Sequence, residues 1–125
     1  MILAKPARRT QPEAKYKGAD MTESEFMVIT DALLESLQTA LDSTDLDLDY
    51  QLNGGVLEIE FESGEQIVIN RHTPNREIWV AARSGGFHFS LDPQQHWINH
   101  RDQSELTQVL SQLISASSGA NFTWA

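Results

Sequence analysis

Three aspartates in the run DSTDLDLDYQLNGG, residues 42–55, alternate with apolar side chains: Asp45, Asp47 and Asp49 against Leu46, Leu48 and Tyr50. On a strand, alternate residues share a face about 7 Å apart. Two carboxylates at that distance repel by about 0.6 kcal/mol in water and more near a protein surface. Such a row opposes folding, so it is either well solvated or used. Hard carboxylate oxygens suit Ca²⁺, Mg²⁺, Mn²⁺ or iron, but a convex row offers few ligands per ion and would bind weakly. The same row could dock a basic protein surface, or serve only to keep the chain soluble. An EF-hand fails, because Tyr50 stands where the calcium loop needs Gly and Val56 where it needs Glu.

Other chemistries find less support. With no cysteine, the chain has no disulfide, thiolate metal site or thiol nucleophile. Of the histidines His72, His88, His96 and His100, the last two lie four apart in HWINH. That reads as a strand, where they stand about 13 Å apart. No G-x-S-x-G elbow is present. NGG and SGG read as hairpin turns rather than phosphate loops, since no helix follows either. Paired-carboxylate hydrolysis needs a cleft, and these acids lie on exposed elements.

Charge narrows the partners. The net charge of −9 is uneven. Residues 1–20 carry five basic and two acidic residues, and residues 21–65 carry twelve acids with no Lys or Arg. An acidic half of this kind repels nucleic acid and anionic lipid and attracts cations or basic proteins. No apolar run approaches the roughly 20 residues that span a bilayer, and a disulfide-free chain suits the cytoplasm.

The elements that would position these acids follow from periodicity. The first 20 residues lack apolar periodicity and read as an appended, mobile basic extension. Glu13 and low apolar content fit a transit peptide poorly. Phe26, Ile29, Leu33, Leu37, Ala40 and Leu41 predict a helix over 22–42, with Asp31, Glu35, Gln38 and Asp42 opposite. Thr22 or Ser24 would cap it. Alternating segments at 46–52, 56–62, 66–70, 77–82, 87–91 and 96–99 predict about six strands, with NGG a strong hairpin signal. A closing helix starts at Asp102, with Glu105 completing a capping-box pattern. The expected fold is α+β, a two-layer sandwich with two helices on one face of an antiparallel meander. If Ile78 and Val80 face the core, then Trp79, His88, Glu58 and Glu60 face out, and an exposed Trp marks a binding surface as readily as a surface cover.

The run LNGGVLEIEFESGEQIVINRHTPNREIWVAARSGGFHFSLD, residues 52–92, strongly resembles the frataxin family, and MTESEF with GGFHF resembles its bacterial, CyaY-type branch. The likeness covers about residues 21–120 in order. It implies a frataxin-like domain over 21–125 and a non-enzymatic regulator of iron–sulfur cluster assembly in the bacterial cytoplasm. The implied partners are the cysteine desulfurase and its scaffold protein. The implied ligand is Fe²⁺ or Fe³⁺, weakly held, with other divalent cations able to substitute. A monomer is expected, with iron-dependent oligomers conceivable; an iron chaperone or store with ferroxidase activity is the alternative. By position, the acidic ridge comprises Glu23, Glu25, Asp31, Glu35, Asp42, Asp45, Asp47 and Asp49. Trp79, Asn70 and Arg71, with Glu58 and Glu60, would form the partner-facing sheet surface. Gln38, Thr39 and Ser43 stand where bacterial relatives carry acids, so the ridge is thinned and more of its role falls on the three aspartates.

Overall fold

The structure is a computed structural model that describes residues 20–124. The basic extension, apart from Asp20, lies outside the described residues. Helix α1 spans Glu23–Asp42. Thr22 caps it: its Oγ1 accepts from the Glu25 amide at 3.1 Å, and the Glu25 carboxylate accepts from the Thr22 amide at 2.9 Å. This reciprocal box satisfies two amides that the first turn leaves free. The buried stripe of α1 is Phe26, Thr30, Leu34, Leu37 and Leu41. It is rotated from the expected apolar set, and Ile29, Leu33 and Ala40 sit at its margin. Thr30 occupies a core position because its hydroxyl donates to the Phe26 carbonyl at 2.7 Å.

Seven strands follow: β1 Leu48–Asn53, β2 Val56–Phe61, β3 Gln66–His72, β4 Glu77–Ala82, β5 Gly85–Leu91, β6 Trp97–Asn99 and β7 Ser104–Glu105. They pair antiparallel in sequence order. Helix α2, Leu106–Ser118, closes the domain, with Gly119 at φ 75° as its left-handed C-cap. At the NGG hairpin Asn53 pairs with Val56, and Gly54 and Gly55 take φ 56° and 90°. These are the positive dihedrals that a two-residue turn needs.

Alternation divides the sheet. Leu57, Ile59, Ile67, Ile69, Ile78, Val80 and Phe89 are buried on the face that both helices cover. Phe26 of α1 meets Trp97 of β6 edge to face at 6.3 Å. Fully burying one such side chain stabilises by about 1.5–3 kcal/mol. The C-terminal residues 119–124, which carry no predicted role, add Phe122 and Trp124 to this core.

One predicted boundary is corrected. Asp102 does not cap α2: its carboxylate accepts from the Ser104 amide at 3.0 Å and the Ser104 hydroxyl at 2.6 Å, closing a local turn. That frees Ser104–Glu105 to pair with β6 as the seventh strand, and α2 starts at Leu106. The Ser104 hydrogen bonds hold the Asp102 carboxyl below the usual carboxylate range. The sign follows: a lowered pKa gives stability above the unfolded value of about 3.9 that is lost as pH falls through the lower folded value. The Ser104 amide resonance is therefore expected to shift on acidification only below about pH 4; a midpoint above that range would contradict the assignment.

Candidate functional site: an acidic ridge and an aromatic sheet face

The acidic surface is built by α1, the segment after it and the β1–β2 edge. Glu23, Asp31, Glu35, Asp42, Asp45, Asp47, Asp49, Glu58 and Glu60 are exposed, and Glu25, engaged in the cap, is half-buried. The expected row of three aspartates in one strand is not formed, because β1 begins at Leu48 and only Asp49 lies within it. The Thr44 hydroxyl accepts from the Leu46 amide at 3.3 Å and the Leu48 amide donates to the Leu46 carbonyl at 3.0 Å, bending the chain before the ladder starts. Asp45 and Asp47 project from this bend.

Besides Glu25 in the cap, two ridge carboxylates have internal partners. The Tyr50 hydroxyl, on the helix side of β1, donates to Asp42 Oδ1 at 2.5 Å. That bond, with lesser contributions from burial and the carboxylate charge, raises the Tyr50 pKa above its ordinary value. Asp31 is paired with Arg71. By contrast, Asp49 stands directly opposite Glu60, and Gln51 opposite Glu58. Asp49, Glu58 and Glu60 line one shallow recess with Tyr50, Gln51 and Gln66, and no basic side chain enters it. A like-charge pair directly across a ladder is destabilising. Among the described residues, no three His, Asp or Glu side chains gather to hold one metal ion. The donors match a hard cation in chemistry without forming a cage, so an ion would keep most of its water.

Arg71 is placed differently from expectation. The alternation that sends Ile67 and Ile69 inward sends Arg71 inward too, away from the sheet face assigned to partners. Its side chain is 11% exposed beneath α1, where its guanidinium reaches Asp31 and, at 3.4 Å, the Thr30 hydroxyl. The guanidinium also lies over Gly55, where an added Cβ would come within 2.7 Å of Nε. With φ at 90°, Gly55 is demanded by both backbone and neighbour. Gly55→Ala is expected to destabilise the domain by about 1–3 kcal/mol in urea denaturation; an unchanged midpoint would show that Arg71 can withdraw freely.

On the open sheet face Trp79 is half-buried, held between two imidazoles. His72 stacks on it at 3.8 Å with an interplanar angle of 8°, and His88 at 4.2 Å and 7°. Its indole N–H donates to Glu77 at 2.8 Å. Asn70 sits directly opposite Trp79 on β3, and so on the same face. Histidine stacking was the missed feature; its only sequence signal is outward registry, with His88 opposite Trp79 and His72 two residues beyond Asn70.

The family model described as "Frataxin-like domain" matches residues 19–120. The chain is 44% identical over 99 residues to "Iron-sulfur cluster assembly protein CyaY" of Neisseria meningitidis serogroup C, an alignment covering 79% of this chain and 92% of the relative. It is 47% identical over 100 residues to the protein of the same description in Dechloromonas aromatica, covering 79% and 94%. Among solved structures, frataxin of Psychromonas ingrahamii superposes with a TM-score of 0.79 at 30% identity, covering 84% of this chain and 99% of that one. A trimeric frataxin of Saccharomyces cerevisiae, complexed with ferrous iron, gives 0.60 at 28%, covering 79% and 88%. With a matching family model across most of its length and curated relatives well above 30% identity, the chain belongs to the frataxin family.

Proposed function

We propose that this protein is a non-enzymatic, iron-binding regulator of iron–sulfur cluster assembly in the bacterial cytoplasm, docking on the cysteine desulfurase through its acidic ridge and on the scaffold protein through the Trp79 face. The observation that carries this reading is the uncompensated charge at the β1–β2 edge, where Asp49 opposes Glu60 beside Glu58 with no internal cation. Folding tolerates this repulsion, and a basic partner surface or a hydrated Fe²⁺ relieves it. The chain has no thiol with which to accept sulfur or ligate a cluster. Among the described residues, no helix is long and apolar enough to cross a membrane.

Association with purified cysteine desulfurase tests the reading. Binding is expected at low salt, falling steeply as ionic strength rises. Absence of binding at low salt, or indifference to salt, would reject ridge docking. An iron chaperone or store with ferroxidase activity is the second reading, favoured by the trimeric yeast relative's ferrous complex. It requires iron-driven oligomers and catalysed Fe²⁺ oxidation; sedimentation showing only monomer across an iron titration, with oxidation at the protein-free rate, eliminates it.

A further inference from the structure

Helix α1 carries five acids, Glu23, Glu25, Asp31, Glu35 and Asp42, and no Lys or Arg. By helical periodicity Ser24, Val28, Asp31, Glu35 and Asp42 fall within one stripe about 60° wide. All five are exposed. Val28 is the exception in chemistry. It is 70% exposed, one of two large hydrophobic side chains left exposed among the described residues. With Ser24, Glu25, Ile29 and Gln95 it lines a shallow recess of about 360 Å³ whose surface is almost entirely carbon. Gln95 is held there by its turn, in which the Asp92 carboxylate accepts from the Gln94 and His96 amides at 3.0 and 2.8 Å. The chain enters α1 beside this recess. Met21 is 2% exposed and its carbonyl accepts from Arg76 Nε at 3.0 Å, so the point from which residues 1–19 depart is fixed.

We propose that residues 1–19, which lie outside the described residues, bind back on this stripe of the same chain as a basic arm. Their composition complements the surface. Met1, Ile2, Leu3 and Ala4 are apolar and match the recess; Lys5, Arg8 and Arg9 follow them, as Asp31, Glu35 and Asp42 follow the recess along α1. Residues 1–19 hold five basic residues and one acid. The helix dipole sets the direction, because cations are disfavoured at the first turn and favoured at the last, where α1 has no basic residue. The lengths close. From Glu35 back to Thr22 the helix spans about 20 Å, and residues 10–19 can reach about 33 Å when extended. Asp31 and Asp42 hold Arg71 and Tyr50, yet both remain exposed, and Glu35 makes no ion pair among the described residues. A tether keeps the arm at an effective concentration on the order of millimolar, so weak contacts are enough. The regulatory consequence rests on the ridge docking proposed above: the arm competes with the desulfurase and with hydrated Fe²⁺ for the same carboxylates.

The test needs neither partner nor metal. The chain has no cysteine, so Thr10→Cys in the full chain takes a single nitroxide label beside Arg9. At low salt the amides of Val28, Asp31 and Glu35 are expected to lose most of their NMR intensity relative to the reduced, diamagnetic label, while those of Trp79 and Ser90, across the sheet, keep theirs. The loss should shrink in the exposed variant Val28→Asn, vanish in Arg8→Glu with Arg9→Glu, and vanish at about 1 M salt, where charges are screened beyond about 3 Å. No selective loss along α1, or a loss that survives the double charge reversal, would overturn the proposal. So would an equal loss in isotope-labelled chains without nitroxide mixed with nitroxide-bearing ones, which would assign the stripe to a second copy. The competition is read separately: Arg8→Glu with Arg9→Glu should tighten desulfurase association severalfold. Arm contact without that gain would count against ridge docking and leave the arm in place.

Discussion

Trp124→Ala is expected to destabilise the domain by about 3–5 kcal/mol, the range for removing a large buried aromatic. Folded domains carry only about 5–15 kcal/mol in total, so this one side chain near the C-terminus holds a sizeable share. Trp124 is 5% exposed and bridges both helices: its indole N–H donates to Ser36 of α1 at 3.2 Å and its amide to Ser111 of α2 at 2.9 Å. Phe122 is fastened the same way, its amide donating to Ser115 Oγ at 2.9 Å. The loss combines apolar burial with the bolt between the helices, so Trp124→Phe, which keeps most of the burial, should cost visibly less. Urea denaturation measures both. A Trp124→Ala midpoint within error of the parent would mean that the two helices need no bridge.

Replacing Asp45, Asp47 and Asp49 together by lysine is expected to weaken association with the cysteine desulfurase about 10- to 100-fold at low salt. The same change should not destabilise the fold. Lysine at position 49 would face Glu60 across the ladder, exchanging a repulsive pair for an attractive one that contributes about 0.2–1 kcal/mol. Stability and docking therefore move in opposite directions. That separates a docking surface from a merely solubilising one, for which stability would rise in the same way while affinity stayed unchanged. Affinity from calorimetry and stability from denaturation, measured on the same triple variant, decide it. Unchanged affinity would remove these aspartates from the interface.

Local chemistry made much of this molecule legible in its sequence. The Thr22–Glu25 box, the two glycines of the first hairpin and the alternation in β2 each depend on residues close in sequence. They also set which face Trp79 takes. Arg71 was expected on the partner-facing sheet with Asn70 and Trp79 from the family resemblance, whereas the strand period that governs Ile67 and Ile69 sends it under α1, where Asp31 compensates the charge. Asp102 has the spacing of a helix cap, but Ser104 competes for its carboxylate at shorter range and wins. The three aspartates looked like one strand because the alternation extends back to Leu46; pairing stops at Leu48 for want of a partner beyond Phe61. Phe122 and Trp124 depend on contacts with Ser36, Ser111 and Ser115 that no local pattern announces.

The most direct test of the ridge as a shared iron and docking surface is a residue-resolved NMR titration with Fe²⁺, run on the free protein and again with the cysteine desulfurase bound. In the free protein, iron should broaden amides around Glu35, Asp42, Asp45, Asp47 and Asp49 while leaving Trp79 and Asn70 sharp. With the desulfurase bound, the same ridge amides should be protected from iron, because the partner's basic groups neutralise the same carboxylates. Iron effects centred elsewhere, or ridge amides that respond identically with and without the desulfurase, would contradict the account.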